Sequence, residues 1–340
     1  MKNLIAKLLL AAVFISISFL NSGCKSEEDK MIDEGIRKFE NADFEGAAKI
    51  YSEVIKKNPK NLSAKFKLVS ANSCINPDHQ LFWKNLWAIF ETKLNRPKPA
   101  LFYQNPFIVR DIQEQAGCEY TSFIEQEINA TTDAIGNNPE NTKYYFTRGL
   151  WNYFLSNQQE AFDDFSTAVT LNKNLTNAYI MRAITRISYL NLRYYRNITT
   201  HNEYESYFDF KRALAIEPHN SEILEELGDK LERFQNNNSA AKYYIKAYNT
   251  DTSKTSALSS LIYLETRLGN YKEAAVYQKV LADKYPERVS YLIELASKKF
   301  LAGNKAGGLA DLENAKARTK DKTQIAAIDR MIERNQLRKK

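Results

Sequence analysis

Cys24, Cys74 and Cys118 are the only thiols of this 340-residue chain, and His79, His201 and His219 are its only imidazoles. A metal centre or a nucleophile–base pair needs such groups at short fixed spacings. Here no metal-like spacing separates the histidines from one another or from the cysteines. The chain has no phosphate loop, dinucleotide glycine fingerprint, G-x-S-x-G elbow or H-E-x-x-H helix. Asp and Glu total 41, but solvated helices carry such groups in any case, and no acid–base pair stands apart. The expectation is a protein that is not an enzyme and uses no metal or small-molecule cofactor.

The one thiol set for modification is Cys24. Lys2 and Lys7 precede an apolar run from Leu8 to Leu20, relieved only by Ser16 and Ser18. That is the three-part form of a secretory signal, and the run is shorter than the ~20 residues a spanning helix needs. Asn21-Ser22-Gly23-Cys24 follows and resembles a bacterial lipobox, with Asn21 where that family prefers Leu. The resemblance implies removal of 1–23, diacylglycerol on the Cys24 thiol, palmitate-type acylation and attachment to the cell envelope, at the periplasmic or surface face of the outer membrane. Residues 24–30 would be the tether. Its Lys25-Ser26-Glu27-Glu28-Asp29 looks like the export signal of surface lipoproteins, and a solvated linker accounts for the same residues.

The bulk composition points to packed helices. With 44% hydrophobic and 26% charged residues the chain should fold. Eleven Gly and eight Pro are few, while 20 Tyr and 18 Phe supply rings for helix packing. The net charge of +7 is dispersed except near Arg330, Arg334, Arg338, Lys339 and Lys340, so no nucleic-acid footprint is expected.

Small residues set a period. Gly149, Ala183, Gly228, Ile262 (a larger stand-in) and Ala296 step by 34, 45, 34 and 34; Ala161, Ser206, Ala240, Ala274 and Gly308 step by 45, 34, 34 and 34. A bulky column, Phe165, Phe210, Tyr244, Gln278 and Leu312, keeps the same register. Small residues let two helices approach, and the bulky residue four positions later fills the space beyond. Gly35, Ala47, Tyr51, Val54 and Pro59 repeat the spacing near the N-terminus.

This pattern resembles the tetratricopeptide repeat family. It implies an all-α fold, an α-solenoid of tetratricopeptide-type antiparallel helix pairs with an irregular helical insertion. The predicted organisation is a first hairpin at 31–61, an irregular module at 62–141, five units at 142–322 and a basic capping helix at 323–340. The two longer steps overlap between Ala183 and Ser206 and place an insertion near Tyr189–His201, either a contact surface or two helices grown by a turn. In the irregular module Ala134 and Pro139 keep the register of a second helix, with no matching first helix before them. Phe82, Trp83, Leu86, Trp87, Ile89 and Phe90 form an apolar helix at 81–94, either a docking ridge or core. Cys74 and Cys118 are either bridged, as an exported protein allows, or two separately buried thiols.

A repeat stack recognises partners through the groove lined by its first helices. By that resemblance the groove would be apolar at one end, with Phe146, Leu150, Tyr153, Phe154, Ile180 and Ile184. It would be acidic farther on, with Glu222, Glu225, Asp229 and Glu232, followed by Tyr263; the alternative is that the irregular module covers the apolar end and the carboxylates are a solvated face. The expected occupant is an envelope protein or peptide segment with apolar anchors beside basic residues, and the expected role is an interaction scaffold or assembly factor. The alternative is a glycan- or peptidoglycan-binding lipoprotein that stacks sugars on Trp83, Trp87, Tyr103 and the insert tyrosines.

Overall fold

The computed structural model describes residues 25–94, 117–192 and 199–337. Among these are sixteen α-helices and no strand. They fall into two compact units, residues 1–198 and 199–340. Residues 1–24, with Cys24, and the loop around Tyr103 lie outside the described residues, as do the side chains of Tyr189–His201 and Cys118. No helix among the described residues is long and apolar enough to cross a membrane.

The first unit opens with a hairpin, α1 (Glu27–Glu40) and α2 (Phe44–Lys57), followed by α3 (Leu62–Ile75) and α4 (His79–Leu94). It continues with α5 (Cys118–Asn137), the pair α6 (Thr142–Phe154) and α7 (Gln158–Leu171), and α8 (Thr176–Leu192). The second unit has α9 (Thr199–Ile216) and three hairpins. These are α10 (Ser221–Arg233) with α11 (Asn237–Thr250), α12 (Ser256–Arg267) with α13 (Tyr271–Lys284), and α14 (Val289–Leu301) with α15 (Lys305–Arg318). A last helix, α16 (Lys322–Leu337), buries Ile328 and Ile332 against Leu295, Leu312 and Ala315. Burying each isoleucine contributes about 1.5–3 kcal/mol before entropy is counted. The described residues are thus all-α, built largely of antiparallel helix pairs.

One local device makes the turns. Ala42, Ser156, Gln235, Gly269 and Gly303 take positive φ between 60° and 81°. The next residue, Asp43, Asn157, Asn236, Asn270 or Asn304, donates its N–H back to the carbonyl of Lys38, Asn152, Leu231, Glu265 or Lys299 respectively. That is the Schellman closure, which satisfies carbonyls left open at the helix end. Asp43, Asn236 and Asn304 also accept the N–H of Gly46, Ser239 and Gly307 and so start the next helix. Chain reversal and restart share one short turn.

A second device starts first helices. Asn61, Asn141 and Asn220, following Pro59, Pro139 and Pro218 at one common offset, cap α3, α6 and α10 with their side-chain oxygens. The sequence reading found no first helix to match Ala134; α3 is that helix. It packs on α5, with Lys67 Nζ 3.1 Å from Glu127 Oε1 and Ser70 Oγ 2.6 Å from Glu127 Oε2. Within the irregular module α3 and α5 thus pack on each other, with α4 between them in the chain.

Packing follows the small-to-large columns. A Cβ added at Gly149 would lie 2.7 Å from the Phe165 ring, and one at Gly228 would lie 2.6 Å from the Tyr244 ring. Both rings stand at the same sequence offset from their glycine, and Tyr51 stands at that offset from Gly35, whose missing Cβ it also covers. Neighbouring helices can approach this closely only where a side chain is absent.

Candidate functional site

The predicted groove has two ends, and the structure treats them differently. At the apolar end Phe146, Leu150, Tyr153, Phe154, Ile180 and Ile184 are all buried, none more than 5% exposed. Of the two readings of this end, an exposed groove lining and a face covered by the irregular stretch, the packing matches the second. Helix α4 fills the space: Trp83 meets Tyr153 with ring centres 6.0 Å apart, Phe90 stacks on Phe154 at 5.5 Å, and Phe82 meets Trp151 edge-on at 4.7 Å. Phe146 packs on Phe165. A continuous aromatic core at this point gains both burial and ring–ring attraction.

The same packing decides the two tryptophans. Trp83 and Trp87 are 0% and 3% exposed, so they form core and offer no flat platform to a sugar. Beside them Trp151 Nε1 donates to Ser70 Oγ at 2.9 Å, and through that hydroxyl the ring joins the buried Lys67–Glu127 ion pair. All members of this buried chain are satisfied, as a polar group inside a core must be.

Cys74 is a free thiol and fully buried. It lies 3.3 Å from Thr147 Oγ1, and burial pushes its pKa up to about 12. A thiol held protonated in this way is a poor nucleophile. Among the described residues no group of three or more His, Cys, Asp and Glu is placed to hold a metal ion. His79 is buried, hydrogen-bonded through Nδ1 to Asn177.

The acidic end is open. Glu222, Glu225, Asp229 and Glu232 follow one another on α10 at alternating steps of three and four, which sets them on one helix face. Each is partly exposed. On α12 the residues Ser256, Ser259, Tyr263 and Arg267 make a matching stripe, each one repeat period after Glu222, Glu225, Asp229 and Arg233. Two contacts join the stripes: Ser256 Oγ donates to Glu225 Oε2 at 2.7 Å, and Arg267 Nη2 lies 3.0 Å from Glu232 Oε1.

Between them lies a cavity of about 500 Å³ lined by Asp229, Glu232, Arg233, Tyr244, Ser259, Ser260, Tyr263 and Arg267. Tyr263 stands at its mouth, 64% exposed. At its floor Tyr244 Oη is 2.5 Å from Asp229 Oδ1 and 3.0 Å from Glu232 Oε2. Burial raises the Tyr244 pKa, and the Asp229 and Glu232 carboxylates raise it further. The phenol therefore keeps its single proton, which the two carboxylates share. Burial likewise raises the pKa of Glu225 and pushes that of Glu226, on the same helix, up to about 7.

The cavity thus contains three of the predicted residues, Asp229, Glu232 and Tyr263, with Glu222 and Glu225 farther along the same face. Ser259, Ser260, Arg233, Arg267 and Tyr244 were missed. Ser259 and Arg267 were findable, because they repeat the register of Glu225 and Arg233 one unit later. Tyr244 was read only as core filler, and its hydroxyl end is what reaches the site.

No family model matches the chain, and no curated protein matches it. Solved structures similar to it include YrrB, described as a tetratricopeptide-repeat protein with an unusual peptide-binding site. That match has 17% identity and a TM-score of 0.45 over 60% of this chain and 99% of the other. A tetratricopeptide-repeat protein of Thermus thermophilus matches at 14% identity and a TM-score of 0.41, over 58% and 99%. MamA matches at 17% and 0.35, over 67% and 93%.

Proposed function

We propose that the chain is an interaction scaffold or assembly factor of the bacterial cell envelope, anchored through lipid on Cys24 and taking a segment of a partner protein between α10 and α12. The observation that carries the partner reading is the open cavity between the first helices of two successive repeats, with Tyr263 exposed at its mouth. A protein surface gains affinity where a partner buries an exposed aromatic residue such as tyrosine, and Tyr263 offers one. The anchoring reading is supported by the signal-like run and by Gly23-Cys24.

Two measurements test it. A photo-crosslinking amino acid at position 263, in cells, should give one dominant adduct with an envelope protein; the same probe at Val276, also exposed (63%) but on α13, should not. Labelled fatty acid should enter the wild type and be absent from Cys24→Ala, which should leave the membrane fraction. Equal labelling of both, or identical adducts at 263 and 276, would refute the reading.

A further inference from the structure

The cavity lining carries two carboxylates, Asp229 and Glu232, and two guanidiniums, Arg233 and Arg267, but they are unevenly paired. Glu232 has Arg267 at 3.0 Å. Among the described residues Asp229 has the Tyr244 hydroxyl as its partner and no cation within 4 Å. Tyr244 brings one proton to two carboxylates, and a neutral phenol cannot discharge both. On the same helix Lys230 is turned into the core, 4% exposed, with Nζ 3.7 Å from Glu226 and over the Phe210 ring, and Arg233, one turn beyond Asp229, lines the same cavity. The wall opposite Asp229 supplies acceptors and an aromatic face: Ser259, whose hydroxyl proton is given to the Thr255 carbonyl, and Tyr263.

We infer that this cavity holds the cationic head of a lysine or arginine side chain carried by the partner segment. This rests on the reading of the α10–α12 groove as a partner site and names the chemistry it selects. An ammonium or guanidinium beside Asp229 supplies the direct ionic partner that this carboxylate lacks within 4 Å. Its remaining protons reach the Ser259 oxygen, and its charge lies against the Tyr263 ring, an arrangement that stabilises cations at partly desolvated sites. Arg233 and Arg267, in the same lining, disfavour a second cation, so the cavity selects one basic side chain rather than a polybasic run. Glu225 and Glu222, continuing along the face of α10, draw in positive flanks and raise the association rate.

The test uses a fluorescein-labelled, capped octapeptide of alanine and serine with a single central lysine, and the same peptide with glutamine for lysine, titrated by anisotropy against the full chain purified in detergent. The lysine peptide should bind at least tenfold more tightly than the glutamine peptide. Asp229→Asn, which keeps an acceptor for Tyr244, and Tyr263→Ala should each remove most of that preference. Asp283→Asn, an exposed carboxylate paired with Lys279 on α13, should leave it unchanged and so separate the site from general charge attraction. Equal affinity for the two peptides, or a preference that survives Asp229→Asn, overturns the inference. If position 263 crosslinks a partner in cells while the two peptides bind alike, the cationic chemistry fails and the partner site stands.

Discussion

Tyr244 lays its ring on the backbone of Gly228 and ends its hydroxyl 2.5 Å from Asp229, the residue next to that glycine. One side chain thus fixes the spacing of α10 and α11 and also forms the floor of the cavity. The repeat's packing and its candidate site are one piece of structure.

Gly228 should accordingly resist substitution. A Cβ there would meet the ring at 2.6 Å, and overpacking of this kind costs about 1–3 kcal/mol. Gly228→Val should lower stability by that amount or more in urea unfolding, and Tyr244→Leu in the same chain should recover part of the loss. Gly136→Ala, where nothing lies within 4 Å, should change stability by less than about 1 kcal/mol. Equal costs at both glycines would contradict the packing described.

The turns predict a gain. Gln235 holds φ at 60° where the next two repeats have Gly269 and Gly303. A side chain in the left-handed region costs about 1–2 kcal/mol, part of which glycine gives back as unfolded-state entropy. Gln235→Gly should stabilise the chain by roughly 0.5–1 kcal/mol, read as a higher urea midpoint. A lower midpoint would contradict the turn geometry.

Glu226 makes stability depend on pH. Burial pushes its pKa from an ordinary 4.5 up to about 7; Lys230 opposes the shift, and Asp229, Glu222 and Glu225 add to it. The folded chain therefore keeps a proton that the unfolded chain releases, so stability falls as pH rises through that window. At about 1.36 kcal/mol per pKa unit the loss is on the order of 3 kcal/mol. Urea unfolding of wild type and Glu226→Gln at about pH 5 and pH 8 should show a pH-dependent difference between the two. A constant difference would contradict the burial of this carboxyl.

Cys74 should be silent in the native state. Its thiol is free and buried, so it should react with a thiol reagent at pH 8 only after denaturation, and a reductant should leave the melting temperature unchanged. Fast native labelling, or a melting temperature that falls on reduction, would contradict this placement.

Much of the fold was legible because the repeat writes its packing locally. A glycine followed at a fixed offset by a ring, an Asn or Asp restarting a helix after a left-handed residue, and a proline shortly before a capping Asn are short-range signals. The last of these would have identified α3, since Asn61 follows Pro59 as Asn141 follows Pro139. At the apolar half of the groove the residues left two readings open, an exposed lining or a face covered by the irregular stretch. Register says which face Phe146 and Phe154 occupy, but what covers that face is decided by Trp83 and Phe90, on an inserted helix far back in the sequence, through contacts no local pattern encodes. The acidic half was legible because no inserted helix fills it.

The central claim is that the acidic face of α10 takes a partner segment. Its most direct test is the double reversal Glu225→Lys with Asp229→Lys, carried in the chain that bears the crosslinker at position 263. The account predicts that the partner adduct is lost while the circular dichroism spectrum and membrane fractionation stay as in the wild type. An undiminished adduct from that folded, correctly located double variant would contradict it.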